Sequence, residues 1–284
     1  MKHVYLLMMG AAIISLSPIF VKLIHLGPTW IAFWRTSVAA LFLLSFSFKL
    51  PKRKVGKFLL WTAITGVVIA LDLFVWHKSL IYIGAGLGTL LGNTQVIYMV
   101  IIGILFFNEK LSLRTFLAVS MAVIGITFLV AIDVPSDIGH DKFYWGVAFG
   151  LMTGIAYAVF MISLRKVERD FPELTTLQKL FWVYLFCSVL LLVISIFTKE
   201  VAMPSGYDFL WILLLGTLVN IGGWKLISSN LPKVSTAVAG LILLIQPAAA
   251  TIWGVIFFNE SLNLQQILGI VLLFFGIYIS SVKR

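Results

Sequence analysis

The sequence predicts an all-α membrane protein with ten transmembrane helices in two inverted five-helix repeats. Three observations carry that expectation. Of the 284 residues, 61% are hydrophobic and 11% are charged, whereas a soluble domain carries about a quarter charged residues. The apolar residues gather into runs of roughly 20, the length at which a helix crosses a ~30 Å hydrocarbon core with its backbone groups satisfied internally. The polar tetrapeptide Phe106-Phe107-Asn108-Glu109 returns as Phe257-Phe258-Asn259-Glu260, 151 residues later.

Ten apolar runs lie near 4–24, 28–48, 58–81, 83–106, 113–132, 143–165, 175–197, 208–230, 233–257 and 262–281. The short connections between them leave little chain for a soluble catalytic domain. Lys2 before the first run also suits a signal peptide, but no small-x-small site ends that run and the repeat needs it as a helix. A net charge of +10 raises the prospect of a nucleic-acid partner, yet in a membrane chain basic residues record orientation. Lys49, Lys52, Arg53, Lys54, Lys57, Lys110, Arg114, Arg165, Lys166, Arg169 and Lys233 all fall on one side if the N-terminus is cytoplasmic. Both termini are therefore expected inside, in the inner (plasma) membrane, with the lipid bilayer and not nucleic acid as partner. The single cysteine, Cys187, excludes an internal disulfide.

Residues 83–130 align without a gap on 234–281, matching Gln95 with Gln246, Gly103 with Gly254, Leu111 with Leu262, Leu113 with Leu264 and Gly125 with Gly276. Two five-helix repeats, 1–132 and 143–284, follow. Because five is odd, the second copy must enter the bilayer from the opposite side, as in carriers that alternate access around a central site. Asn108, Glu109, Asn259 and Glu260 then read as the same structural turn twice. Ser112 and Asn263 look like caps of the helices that follow, and Asn263 with Gln266 has capping-box spacing.

At these residues the chain resembles the EamA-type members of the drug/metabolite transporter superfamily. The resemblance rests on Phe20-Val21-Lys22, Pro28 and Phe33-Trp34-Arg35 over the first two runs. It rests also on a glutamate followed by Leu-x-Leu in both halves, and on Gln246-Pro247 in the ninth run. Val96 departs from the pattern where the first half would carry the matching proline, which leaves a break in the fourth helix less secure. The resemblance implies secondary transport of small polar or amphipathic metabolites, often amino-acid export, with no cofactor. An uptake permease for a metabolite or nucleotide-like compound is the alternative. An embedded enzyme would need clustered acidic or histidine motifs, and a channel or scaffold is a further class. Oligomeric state and coupling ion are not specified by any motif.

Asp72 leads the candidate site, because a carboxylate inside an apolar span normally faces a cavity or a cation; it is also the candidate for proton coupling. Lys225 in the eighth run is similarly costly, as a substrate contact, a partner of Asp72, or a side chain snorkelling to the surface. Trp76, Asn93, Gln95, Tyr98, Tyr157, Trp182, Tyr184, Asn220, Trp224 and Gln246 supply further candidates, the amides first because their buried donors and acceptors need partners. Lys22, Arg35 and His77 are expected at the outer mouth, as interfacial anchors or as attractors of a substrate carboxylate. Gly84, Gly88, Gly92 and Gly146, Gly150, Gly154 repeat every four residues and read as packing seams rather than a nucleotide loop. The fifth and tenth runs, with few polar residues, are expected to pack peripherally and brace their own halves.

Overall fold

The computed structural model describes residues 2–47, 49–129, 140–259 and 262–281, and among these there is no strand. The helices are α1 (Lys2–Ile14), α2 (Ser17–Lys22), α3 (Pro28–Ser47), α4 (Val55–Gly92), α5 (Gln95–Phe107), α6 (Leu113–Leu129) and α7 (His140–Asp170), followed by α8 (Thr176–Thr198) and α9 (Asp208–Leu214). A π-helical segment, Leu215–Gly223, leads into α10 (Trp224–Asn230), and α11 (Thr236–Leu243), α12 (Ile245–Phe258) and α13 (Leu264–Ser281) complete the chain.

Seven segments among the described residues are long and apolar enough to cross a membrane: Lys2–Lys22, Val55–Gly84, Leu87–Phe107, Asp141–Asp170, Thr176–Thr198, Asp208–Lys233 and Thr236–Phe258. The remaining runs differ for visible reasons. α3 has the length, 20 residues, but carries Arg35 and several hydroxyl side chains. Leu113–Leu129 and Leu264–Ser280 are shorter apolar helices within the described residues, each starting after a polar corner. Large apolar side chains cover the exterior, among them Phe106 at 75%, Leu113 at 73% and Val271 at 58% exposed. Such a surface suits lipid and not water.

α4 bends sharply at Gly84, where φ is 82° and ψ is 160°. Only glycine adopts that backbone readily, so Gly84 forms the corner between two spans and not part of a packing seam. The other seam is as expected. A Cβ added at Gly146, Gly150 or Gly154 would collide with Ile83, Leu91 or Thr94 respectively, so α7 lies closely against α4 and the start of α5. α3 packs along α8, and α1 packs on α10 and the π segment.

α6 and α13 depart from expectation in part. They pack on each other, and both touch α11 and α12, so α13 braces its own half while α6 joins the first half to the second. The cause is a close backbone approach. A Cβ at Gly125 would lie 2.8 Å from the Gly269 carbonyl oxygen, and one at Gly269 would lie 2.6 Å from that of Gly125.

Opposite ends of the bundle are tied by different polar contacts. At one end Glu200 accepts from Thr29 N (2.8 Å) and Thr29 Oγ1 (3.0 Å). There Asp208 accepts from His25 N at 3.1 Å, and Trp30 Nε1 donates to the Ala202 carbonyl. The basic residues predicted to share a face collect at the other end. Asp170 pairs with Lys166 at 3.0 Å and Lys57 at 3.6 Å. Lys179 Nζ lies 2.8 Å from Glu168, whose other oxygen accepts from Ser228 Oγ at 2.7 Å.

Candidate functional site

The polar centre is built on two helix breaks at equivalent places. In the second half α11 stops at Leu243 and α12 restarts at Ile245, with Pro247 in its first turn lacking an amide donor. The first half breaks between α4 and α5 without a proline, contrary to what Val96 suggests. Asn93 Nδ2 donates to the Thr89 carbonyl at 2.8 Å, and Thr94 Oγ1 donates to that of Leu91. These side chains bond back to carbonyls at the turn, so amide and hydroxyl chemistry replaces proline geometry. Gln95 and Gln246 both stand immediately after a break. Gln246 Nε2 donates to Tyr157 Oη at 3.1 Å; buried Gln95 has no partner for its Oε1.

Asp72 is 5% exposed, and its Oδ1 has no hydrogen-bond partner. Its helix, α4, packs against α7, which carries Tyr157, and against α8, which carries Cys187. One turn on from Asp72, Trp76 faces Gly92 and Thr153, while a Cβ at Gly154 would touch Tyr98 and Gln95 N. The Tyr157 and Trp224 rings are 6.3 Å apart, and those of Phe160 and Trp224 5.0 Å. Asp72, Trp76, Gln95, Tyr98, Trp224 and Gln246 thus lie on helices packed against α7 or in contact with its Gly154–Tyr157 stretch, and two of their acceptor oxygens, Asp72 Oδ1 and Gln95 Oε1, are buried without partners.

A second polar knot lies beside it. Arg35 is not at an outer mouth: it is half-buried, donating to Asn220 Oδ1 from Nε (3.1 Å) and Nη2 (2.7 Å) and to Ser17 Oγ from Nη1 (3.0 Å). Asn220 returns a bond to the Arg35 carbonyl at 3.1 Å, and its own carbonyl accepts from Tyr184 Oη at 2.6 Å. Asn220 sits in the π-helical segment, whose shifted hydrogen-bond register favours such local specialisation. Arg35, Tyr184 and Asn220 therefore satisfy one another, and the length of the arginine side chain carries its charge inward to them.

Other candidates lie elsewhere. Lys225 is exposed and does not reach Asp72, because its position on α10 points outward. Trp182 joins Phe58 and Phe181 at the basic end, its Nε1 3.4 Å from the Lys49 carbonyl. Lys22 is exposed, with Nζ 4.0 Å from the Phe258 ring centre. His77 packs beside Trp76 at 5.2 Å, with Nδ1 buried and unpartnered. Asn93 is spent on its own helix.

The repeated corner has a definite geometry. Asn108 (φ 53°, ψ 31°) and Asn259 (φ 52°, ψ 33°) both end helices in the left-handed conformation, and after the first of them Glu109 N donates to the Gly103 carbonyl at 3.0 Å. Ser112 caps α6 through Thr115 N at 3.1 Å, and Asn263 with Gln266 forms the predicted capping box. Glu260 lies outside the described residues. Glu109 does more than turn the chain: it accepts from Thr236 N at 2.8 Å and 3.0 Å and lies 3.6 Å from Arg165. That tie and the Glu168–Lys179 pair escaped sequence reasoning, because charges flanking apolar runs resemble orientation signals until their partners are known.

An all-helical, apolar-surfaced fold around a buried polar centre defines a multi-pass membrane protein. The chain belongs to the EamA-like transporter family, whose model matches residues 1–131 and 144–282. An uncharacterized transporter of Archaeoglobus fulgidus is 23% identical over 185 residues, covering 65% of this chain and 62% of that protein. The chain thus spans under two thirds of that relative. A probable amino-acid metabolite efflux pump of Salmonella typhimurium is 22% identical over 224 residues, 76% of this chain and 74% of that one. A solved crystal structure shares the fold, with a TM-score of 0.79 at 14% identity, across 99% of this chain and 97% of that chain.

Proposed function

We propose that the chain is a secondary transporter of small polar or amphipathic metabolites, amino acids among them. In this reading it has ten transmembrane helices in two inverted halves, 1–132 and 143–284. The observation that carries the reading is that the packing is self-consistent when the halves are exchanged. The α4–α7 contact becomes the α10–α1 contact, while α3–α8 and α6–α13 each become themselves. Details repeat at the same offset. Gly125 packs on the Gly269 carbonyl and Gly276 on that of Ala118, each position 151 residues from its mate. Arg165 stands over Phe107 and Lys22 over Phe258 in the same way.

Two such halves can exchange outward-open and inward-open shapes around the polar centre between them. The name of the Salmonella relative supports export of amino-acid-type solutes. The basic end supports a reading with both termini in the cytoplasm and the protein in the plasma (inner) membrane, by the positive-inside rule. Asp72 is the candidate for proton coupling.

Proteoliposomes preloaded with unlabelled amino acids are expected to show saturable counterflow of the labelled solute. Lack of counterflow across a broad panel of amino acids and amines sinks the carrier reading, and net inward flux in cells would make it a permease. The topology has its own check. With Cys187 replaced, Lys110→Cys and Gln265→Cys should label with an impermeant thiol reagent from opposite sides of the membrane; labelling from one side defeats the inverted repeat.

A further inference from the structure

We propose that the central site is a seat for a protonated amine, with Asp72 as counter-ion, Gln95 Oε1 as second acceptor and aromatic rings as walls. The inference rests on the carrier reading and names its substrate class.

Its starting point is an imbalance of hydrogen-bonding groups. Asp72 Oδ1 and Gln95 Oε1 are both acceptors, both buried and both without a partner. A buried carboxylate in a membrane span is costly unless a cation or several donors face it. The obvious cations of this chain are committed elsewhere. Three donors of Arg35 go to Asn220 and Ser17, Lys225 is exposed, and Lys78 stands 5.5 Å over the Phe74 ring. Tyr157 on the neighbouring α7 accepts from Gln246 through its hydroxyl oxygen and makes no bond to Asp72 Oδ1. A ligand completing the site must therefore bring donors and positive charge.

The surroundings suit an ammonium in particular. Its three N–H groups can divide between a carboxylate and an amide oxygen. Trp76 stands one turn from Asp72, and the Tyr157 and Trp224 rings lie 6.3 Å apart; rings of this kind attract a desolvated cation. A carboxylic acid ligand would instead meet Asp72 as a like charge, so the amine and not the acid group of an amino acid is the part recognised here.

The test measures binding, independent of transport, on the purified full chain in detergent or nanodiscs. Phenethylamine is compared with 2-phenylethanol, nearly the same shape without the charge, and with 3-phenylpropionate. Butylamine and L-phenylalaninamide extend the panel. The amines should raise the unfolding temperature saturably, with the alcohol weaker by at least about tenfold and the acid weaker still, since a hydrogen bond to a charged group is worth about 1.5–3 kcal/mol. Asp72→Asn should weaken the amines by at least about tenfold while leaving the alcohol unchanged, which also shows that the variant is folded. Asp72→Glu should recover part of the preference. Equal binding of amine and alcohol, or an Asp72→Asn protein that keeps the preference, overturns the seat. So does an absence of amine binding in a preparation that still performs amino-acid counterflow, an outcome that leaves the carrier reading standing.

Discussion

Lys179→Met is expected to destabilise the protein by about 3–5 kcal/mol, because removing one member of a buried ion pair strands the other charge. The two side chains are 3% and 6% exposed. Lys179 Nζ also donates to the Glu168 backbone carbonyl at 3.1 Å, and Glu168 accepts from Ser228 at 2.7 Å. One cluster therefore holds α7, α8 and α10 together. The double variant Glu168→Met/Lys179→Met should recover most of the loss, since an apolar pair of similar volume needs no desolvation of charge. Chemical unfolding in detergent checks both; a single variant as stable as wild type would show that water reaches the pair.

Gly269→Leu should be at least as damaging, through sterics alone. A Cβ there lies 2.6 Å from the Gly125 carbonyl oxygen and 2.6 Å from Leu129 N. Both are backbone atoms, which cannot rotate aside as a side chain can. Even Gly269→Ala must push α6 and α13 apart, and inserting extra bulk into a packed contact typically costs about 1–3 kcal/mol. Gly56→Ala is the matched control, because nothing lies within 4 Å of its added Cβ. Size-exclusion chromatography after heating should show Gly269→Leu lost first, then Gly269→Ala, with Gly56→Ala like wild type. A Gly269→Leu protein of wild-type stability would mean that the α6–α13 contact is dispensable.

The legible part of this fold was what depends on local pattern. Apolar run length located the spans, glycine spacing located the α7 seam, and Asn263 with Gln266 located a cap, because each is decided within a few residues along one helix. The repeated Phe-Phe-Asn-Glu likewise marked a corner from sequence, and its asparagine became intelligible once its left-handed backbone was seen. Gly84 misled, since a four-residue glycine spacing looks the same whether the first member packs or turns.

The candidate site was legible only in part. Residue type and depth in an apolar run were enough to single out Asp72, Gln95, Tyr157 and Gln246, because a polar group in lipid needs a reason to be there. Arg35 belongs inward with Asn220, and Lys225 outward, for a reason outside their own helices: which face a helix turns to its neighbours is set by packing. The sequence by itself determined an apolar, helical, twice-written chain with a carboxylate inside a span. Only the tertiary structure decided that α6 meets α13, that Glu109 reaches Thr236, and that no arginine or lysine pairs with Asp72 among the described residues. Those are long-range pairings, and their partners lie too far apart along the chain for any local periodicity to record.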